Sequence, residues 1–160
     1  MIDDLIKPNL LILFCGTALG EASFKQQAYY AHPGNKFYRA LYETRLTDKL
    51  VKPENYRLLL SYNIGLTDLN KKEYGSDSSL SKEHFDKQAL RQKILYYQPS
   101  VLAFTSKRAA SEFLGRRTIS YGEVDTTIGD TRLFTLPSPS GLAVRYWDIT
   151  YWHQLAKLVR

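Results

Sequence analysis

Two segments of the sequence follow apolar runs and lie where chemistry is expected in an α/β protein. The run "NLLILF" leads into "FCGTALGEAS", residues 14–23, a glycine-framed turn whose inner residues are Thr17, Ala18 and Leu19. A second apolar run ends in "GLTDL", which contains Asp68. In α/β sheets, ligands bind at the carboxyl ends of the strands. The turn offers only a threonine, whereas the Asp68 carboxylate is able to orient or deprotonate a water molecule. The alternative is a solvated aspartate or a helix cap.

The residues that usually bind metals are few and scattered. The three histidines are His32, His84 and His153, and Cys15 is the only cysteine. This spacing does not form a metal-ligand constellation, so we expect neither a metal nor another cofactor. A single cysteine cannot form an internal disulfide, which is compatible with a reducing compartment. Cys15 ends an apolar run, and we expect it to be buried and inert.

The pattern of apolar residues predicts strands that alternate with helices. Predicted strands lie at about 9–15, 64–69, 100–105 and 131–136. Helical patterns cover 35–44, 53–62, 81–98, 106–114 and 144–159. Ser81 is the expected cap of the third helix and Pro53 lies near the start of the second. The alternation predicts an α/β fold with a mostly parallel sheet covered on both faces.

Three further features complete this organisation. The segment "TTIGDTRLF" predicts a tight hairpin turn at Gly129–Asp130. The polar segment 71–81 is too short to separate domains and is predicted to be a mobile surface loop. The functional loops should follow the first, second and fourth predicted strands, as "GTALGEAS", "GLTDLNK" and "LPSPSGLAVR".

Composition and charge restrict the class of protein. The 160 residues fit a single domain, 1–160, with 44% hydrophobic and 24% charged residues, as is ordinary for a globular protein. No apolar run approaches the roughly 20 residues of a membrane helix, and the acidic start does not resemble a secretory signal. The net charge of +6 favours a polyanionic partner, first of all nucleic acid, although many basic proteins have none.

Several of these segments, taken together, resemble the mismatch-specific uracil-DNA glycosylase family, which is related to thymine-DNA glycosylase. The similarity begins at "DDLIKPNLLILFCG" and continues through "AHPGNKFY", "LTDKLVKPE", "LLLSYNIGLTDL", "YQPSVLAF" and "LPSPSGL". It covers nearly the whole chain. The resemblance implies a three-layer α/β/α sandwich. It also implies hydrolysis of the N-glycosidic bond of a damaged or mispaired base that has left the DNA stack.

The sequence departs from this family at two motifs. Members of the family hold the attacking water with an asparagine in the first turn, "GINPG", where this chain has "GTALG" with Ala18 at the matching position. A methyl group cannot bind water by hydrogen bonds. Leu19 replaces the proline of the motif, and Ser138 replaces the asparagine of "NPSG". The resemblance makes Asp68 the strongest candidate to replace the missing amide as the catalytic residue.

The resemblance also places residues around the base. Tyr30 matches the aromatic residue that stacks on the extruded base, and Thr17 and Tyr30 would offer backbone groups to its edge. Ser23 matches the position beside C5 of a pyrimidine, where it would favour uracil over thymine. His32 either faces this pocket or is a hydrogen-bonded structural histidine. Asn35 is expected to cap the following helix.

The segment "PSPSGLAVR" is expected to probe the duplex. Leu142 matches the apolar wedge that fills the space left by the flipped base. Arg145 matches the nearby arginine only approximately, because "LAVR" is one residue longer than the "LSR" of the family. Backbone amides of 138–141, which include Ser140 and Gly141, would bind phosphates. Lys107, at a predicted helix start, is a weaker phosphate candidate.

Three hypotheses about the function follow from these residues. The first is a monofunctional glycosylase that acts as a monomer on double-stranded DNA containing a mismatched or deaminated base, without cofactor or metal. The second is a binding module that has lost the chemistry and still recognises mispairs. The third, a structural α/β protein unrelated to DNA, is disfavoured by the breadth of the resemblance. The expected location is the cytoplasm of a bacterial-type cell, with the nucleoid DNA.

Overall fold

The computed structural model describes all 160 residues and contains one five-stranded sheet. Its strands are β1 (Ile12–Gly16), β2 (Ile64–Asp68), β3 (Val101–Phe104), β4 (Gly122–Ile128) and β5 (Thr131–Thr135). The spatial order is β2-β1-β3-β5-β4, with every neighbouring pair parallel except β4 and β5. The predicted parallel sheet and the hairpin turn after β4 are therefore confirmed.

Helices cover both faces of the sheet. The α-helices are α1 (Glu21–Gln26), α2 (Phe37–Glu43), α3 (Lys87–Tyr97), α4 (Lys107–Leu114) and α5 (Ile149–Leu158). Short 3₁₀ segments lie at Pro53–Tyr62, Asp77–Ser79, Lys82–His84 and Gly141–Tyr146. None of the helices is both long enough and apolar enough to cross a membrane.

Two apolar clusters separate the layers. On one face, Phe14 of β1 packs edge-on against Phe37 of α2 at 5.1 Å and stacks on Trp152 of α5 at 5.7 Å. On the other face, the next residue of the strand, Cys15, joins a cluster that includes Phe104 and Phe113. Alternate residues of a strand point to opposite faces, so β1 contributes to both clusters. The result is the three-layer α/β/α sandwich that the resemblance implied.

The predicted helix boundaries need two corrections. Ser81 does not cap a long helix, because α3 begins at Lys87 and Asp86 caps it by accepting from the backbone N–H of Ala89. The predicted helix at 144–159 is also interrupted. A 3₁₀ turn ends at Tyr146, and Asp148 caps α5 through the N–H of Thr150. In both places a capping aspartate inside the apolar pattern sets the helix start.

The polar segment 71–81, predicted to be mobile, is joined to the rest of the fold by several hydrogen bonds. Glu73 accepts from the backbone and hydroxyl of Ser81 at 2.8 and 3.0 Å and from the Asn70 amide at 2.8 Å. These donors, led by the Ser81 N–H, lower the pKa of Glu73 to about 2. The Gly75 N–H donates to the Leu19 carbonyl, which ties the segment to the first turn.

Candidate active site

A cleft of about 1170 Å³ opens at the carboxyl edge of β1, β2 and β3. Three of the segments that line this cleft are the turn 16–20, the segment around Tyr30 and the loop 138–142. The carboxyl ends of parallel strands meet at one edge of a sheet, which explains why the first turn and Asp68 lie together. The cleft is large enough for a nucleobase and its sugar.

The floor of the cleft is formed where polar side chains surround Gly16. A Cβ atom added to this glycine would stand 2.8 Å from Oδ1 of Asp68. The same Cβ would stand 3.4 Å from Oγ1 of Thr105 and 3.6 Å from the hydroxyl of Tyr30. Gly16 pairs with Asp68 in the β1–β2 register, so the backbone itself brings the carboxylate to this point. A side chain at position 16 would collide with the carboxylate, which explains the need for glycine there.

Asp68 is a buried carboxylate with an unused acceptor. The residue is only 6% exposed, and its Oδ2 atom is buried without a hydrogen-bond partner. Burial raises the pKa of this carboxyl from 3.8 to about 7. Lys71 and Lys93 oppose the shift, and the negative charge of Asp4 adds to it. A carboxyl with this pKa changes its charge near neutral pH, as a general base or acid requires.

A charged network lies behind the Asp68 strand. Asp4 accepts from the hydroxyl of Thr67 at 2.7 Å and pairs with Lys71 at 2.9 Å and with Lys93 at 2.6 Å. Lys71 also donates to the hydroxyl of Tyr29 at 3.2 Å. The two lysines are therefore bonded to Asp4, and Asp68 keeps an unpaired oxygen.

Tyr30 is held at both ends of its side chain. Its ring stacks on Phe37 with centroids 4.0 Å apart, and its hydroxyl hydrogen-bonds with Oγ1 of Thr105 at 3.1 Å. The backbone φ of Tyr30 is 54°, in the left-handed region that residues other than glycine rarely adopt. The surrounding contacts must therefore stabilise this backbone conformation. Burial and the nearby Asp68 charge raise the pKa of the phenol well above its usual value, which keeps it protonated.

The first turn presents few polar groups to the cleft. The Thr17 hydroxyl donates to Oδ1 of Asp77 at 2.8 Å, and the Thr17 carbonyl accepts from the N–H of Asn70. Ala18 lines the cleft, and its side chain packs against the apolar cluster that contains Cys15. Neither Thr17 nor Ala18 carries a side-chain amide.

Three other residues assigned to the base line the cleft and also make local hydrogen bonds. The buried Ser23 accepts through Oγ from the N–H of Ala31 at 3.0 Å. His32 accepts through Nδ1 from the N–H of Gly34 at 2.9 Å. Lys36, not Asn35, occupies the N-cap position of α2, and Oδ1 of Asn35 accepts from the N–H of Phe37 at 2.9 Å. These hydrogen bonds stabilise the conformation of the segment beside Tyr30.

The loop 138–142 packs against this same segment. A Cβ added at Gly141 would stand 3.3 Å from the Gly34 carbonyl oxygen, and the Lys36 N–H donates to the Pro139 carbonyl at 2.8 Å. The Ser138 hydroxyl accepts from the N–H of Ser140 at 3.2 Å. Close backbone approach between two glycines thus joins the two loops across one wall of the cleft.

Four of the five residues assigned to DNA line the cleft. Leu142 lines the cleft and is 90% exposed, and the Ser140 hydroxyl accepts from its N–H at 3.2 Å. Lys107 begins α4 and lies over the Tyr121 ring at 4.4 Å, also in the cleft wall. Arg145 is exposed next to the Tyr146 ring and is not among the residues that line the cleft.

Several residues of the cleft were not predicted from the sequence. Thr105 is one of them, although it follows β3 directly and the carboxyl end of β3 lies beside that of β1. Arg108 donates to the Asp77 carbonyl at 3.3 Å, and both residues line the cleft. A polar residue immediately after a buried strand is the signal that identifies Thr105. The sequence carries no comparable signal for Asp77, which reaches the cleft through the folded segment 71–81.

The structure contains no cluster of three or more histidine, cysteine, aspartate or glutamate side chains suited to a metal ion. Cys15 is fully buried, and burial together with the Asp68 charge raises the pKa of its thiol well above the usual value. The polar groups that line the cleft include carboxylate, hydroxyl, amide, imidazole and cationic side chains.

Comparison with known proteins assigns the family. The chain is similar in fold to the solution NMR structure of a candidate uracil DNA glycosylase from Methanosarcina acetivorans, with a TM-score of 0.67 and 22% sequence identity. The superposition covers 99% of this chain and 96% of the other. The family model of the Uracil DNA glycosylase superfamily matches residues 4–156. Because that match spans nearly the whole sequence, the chain belongs to the uracil DNA glycosylase superfamily, whose members are hydrolases that act on DNA.

Proposed function

We propose that this protein hydrolyses the N-glycosidic bond of uracil, or of another deaminated or mispaired base, flipped out of duplex DNA. In this proposal it acts as a monomer and is an atypical relative of the mismatch-specific glycosylases. Asp68 takes the role of the asparagine that is missing at Ala18. The observation that carries the proposal is the buried Asp68 carboxyl in the lining of a cleft of nucleotide size.

The reaction needs one water molecule and one side chain of the protein that acts as a general base. The water oxygen forms a bond to C1′ of the sugar while the bond from C1′ to the base nitrogen breaks, and that electron pair leaves with the base. The proton released by the water passes to the Asp68 carboxylate. The negative charge of Asp68 also opposes the positive charge that develops at the sugar. Asp68 must therefore be ionised before the reaction.

The flipped base is expected to lie beside Tyr30, whose ring is fixed from one side by Phe37. Ser23 and the backbone of the first turn line the same cleft and supply its polar edge. At the mouth, the exposed Leu142 side chain is free to enter the space that the base leaves in the stack. The net charge of +6 favours the phosphate backbone, so binding should weaken as salt is raised.

A second candidate function is lesion binding without base release. Ala18 favours it, because this cleft residue has no amide where the family motif that the sequence resembles has one. This candidate requires tight, salt-sensitive binding to mismatched or abasic duplex and no released base at any pH. The raised pKa of Asp68 favours the hydrolytic function over this one.

A lesion panel on the intact protein tests the proposal. Duplexes carry uracil, xanthine, hypoxanthine or ethenocytosine opposite each normal base, and base release is measured in single turnover from pH 5.5 to 9. We expect release that rises with pH through about 7, since the pKa of Asp68 is about 7. Asp68→Ala should lose about 10²- to 10⁴-fold in rate, the usual contribution of a general base.

The control is Asp130→Asn, in the exposed hairpin turn at the opposite edge of the sheet, which removes the same charge without touching the cleft. It should release base at the wild-type rate. If Asp68→Ala also releases base at that rate, the assignment of Asp68 is wrong. If no lesion in the panel is excised while mismatched duplex is bound, lesion binding is the function.

A further inference from the structure

We propose that the hydroxyls of Thr105 and Tyr30 form a water site with Asp68, and that this site replaces the amide missing from the first turn. The inference rests on the proposed function and assigns the remaining contacts of the attacking water. It makes Thr105 a catalytic residue at the end of β3, a strand whose end the sequence motifs leave unassigned.

The geometry of the three groups supports this site. The Thr105 and Tyr30 oxygens are 3.1 Å apart, and both lie on the same side of Gly16 as Oδ1 of Asp68. The three residues and the glycine line the cleft together. The three oxygens converge on the point where a Cβ atom of residue 16 would stand, at 2.8 Å for Asp68, 3.4 Å for Thr105 and 3.6 Å for Tyr30. The proposed water lies on the cleft side of this point, within hydrogen-bonding reach of a carboxylate and a pair of hydroxyls.

The hydrogen-bonding capacity of these groups matches what the water needs. A hydroxyl oxygen has two lone pairs, and an ionised carboxylate only accepts. The water can therefore donate one hydrogen to Asp68 and the other to the hydroxyl pair, while a lone pair stays free to attack C1′. As its bond to C1′ forms, the proton moves to Asp68 and the base leaves with the electrons of the broken bond.

The two hydroxyls are positioned before any substrate binds. Thr105 follows β3, its N–H donates to the Cys15 carbonyl at 3.0 Å, and its hydroxyl lies 3.5 Å from that same oxygen. The stacking of Tyr30 on Phe37 fixes the second hydroxyl. Groups held in this way contribute more to catalysis than groups that must reorganise during the reaction.

The test removes the hydroxyls while keeping the shapes. Thr105→Val and Tyr30→Phe each delete one oxygen, and Thr105→Ser keeps it. We expect Thr105→Val and Tyr30→Phe to release base about tenfold more slowly in single turnover, the usual effect of one lost hydrogen bond. The double variant should lose more, and Thr105→Ser should recover most of the rate. Affinity for abasic duplex should not change.

The pH profile separates a role at the water from a role in packing. Without the Thr105 hydroxyl, the water that solvates the Asp68 carboxylate is held less well, so the midpoint of the rate profile should move to higher pH. Thr135→Val is the matched control, because it also deletes a buried threonine hydroxyl at the end of a strand and lies outside the cleft. It should leave rate and midpoint unchanged.

Each result bears on one claim. Wild-type rates in Thr105→Val and Tyr30→Phe, together with a large loss in Asp68→Ala, would overturn the water site and leave the proposed function standing. An equal loss in the rate of base release in Thr105→Ser and Thr105→Val would also overturn the water site, since only packing would then explain the effect. Wild-type release by Asp68→Ala would instead refute the catalytic role of Asp68.

Discussion

Replacing Asp68 by asparagine should make the folded protein more stable at alkaline pH and hardly change its stability in acid. The substitution keeps the shape of the side chain and removes its ability to ionise. In the native protein the carboxyl is 6% exposed and has an unpartnered oxygen, so its ionised form is poorly solvated. Any stability gained by the variant therefore measures the cost of that charge.

The magnitude and sign follow from the two pKa values. The carboxyl has an ordinary pKa of 3.8, which applies to the unfolded chain, and a folded pKa of about 7. Below pH 3.8 both states are protonated, and the full stability is present. Between pH 3.8 and about 7 the unfolded chain has lost this proton while the folded protein still binds it, so stability falls across this interval and levels off above about 7. The full difference between these pKa values corresponds to a loss of about 4 kcal/mol in the free energy of unfolding.

Urea unfolding at pH 4, 5.5, 7 and 8.5, at constant ionic strength, measures this difference. Other carboxyls act in the opposite direction, because hydrogen bonds lower the pKa of Glu73 and an arginine lowers that of Asp125. Their contribution is the same in both proteins and cancels in the comparison. Asp130→Asn serves as the control for loss of an exposed charge and should show no such trend.

The expected result is an advantage of Asp68→Asn that grows from near zero at pH 4 towards about 4 kcal/mol at pH 8.5. An advantage that is constant with pH, or one that appears only in acid, would refute the argument. It would mean that the carboxyl titrates near its ordinary value in the folded protein and is not poised as a base near neutral pH.

Three further substitutions have defined outcomes. Thr135→Val should raise the free energy of unfolding by about 1–2 kcal/mol in urea titration, because the buried Thr135 hydroxyl has no partner; a loss of stability would contradict this. Gly16→Ala should lower stability by about 1–3 kcal/mol and slow base release, since its Cβ would lie 2.8 Å from an Asp68 oxygen; wild-type release would show that the carboxylate can move freely. Leu142→Ala should weaken lesion-duplex binding in fluorescence titrations and change stability by less than about 0.5 kcal/mol, because the side chain is 90% exposed; unchanged binding would remove its role as a wedge.

The sequence predicted the sheet because strand residues carry a local signal. Continuous apolar runs mark β1, β2 and β3, which are buried on both faces, and the glycine turn marks the β4–β5 hairpin. The motifs predicted the family, which the family model confirms at the level of the superfamily. The closer relation to the mismatch-specific members remains a prediction.

Boundaries and loops were predicted less well, since they depend on single contacts. The position of Asp86 at the cap of α3 was not distinguishable from that of Ser81 by periodicity alone. The composition of the segment 71–81 predicted a mobile loop. In the structure, however, the Glu73 carboxylate accepts hydrogen bonds from Asn70 and Ser81, which lie at the two ends of the segment. Such contacts form between side chains whose neighbours are known only after folding.

By itself, the sequence determined which strand ends carry the turn and Asp68, whereas the match of Ala18 to a family asparagine remains a prediction. Tertiary structure alone decided that Thr105 and Tyr30 reach the same glycine as Asp68, and that Gly34 meets Gly141 to close one wall of the cleft. The reason is physical. Strand formation follows from local apolar pattern, whereas the burial that raises the pKa of a carboxyl and the distance between two hydroxyls depend on segments that meet only when the sheet and its loops are assembled.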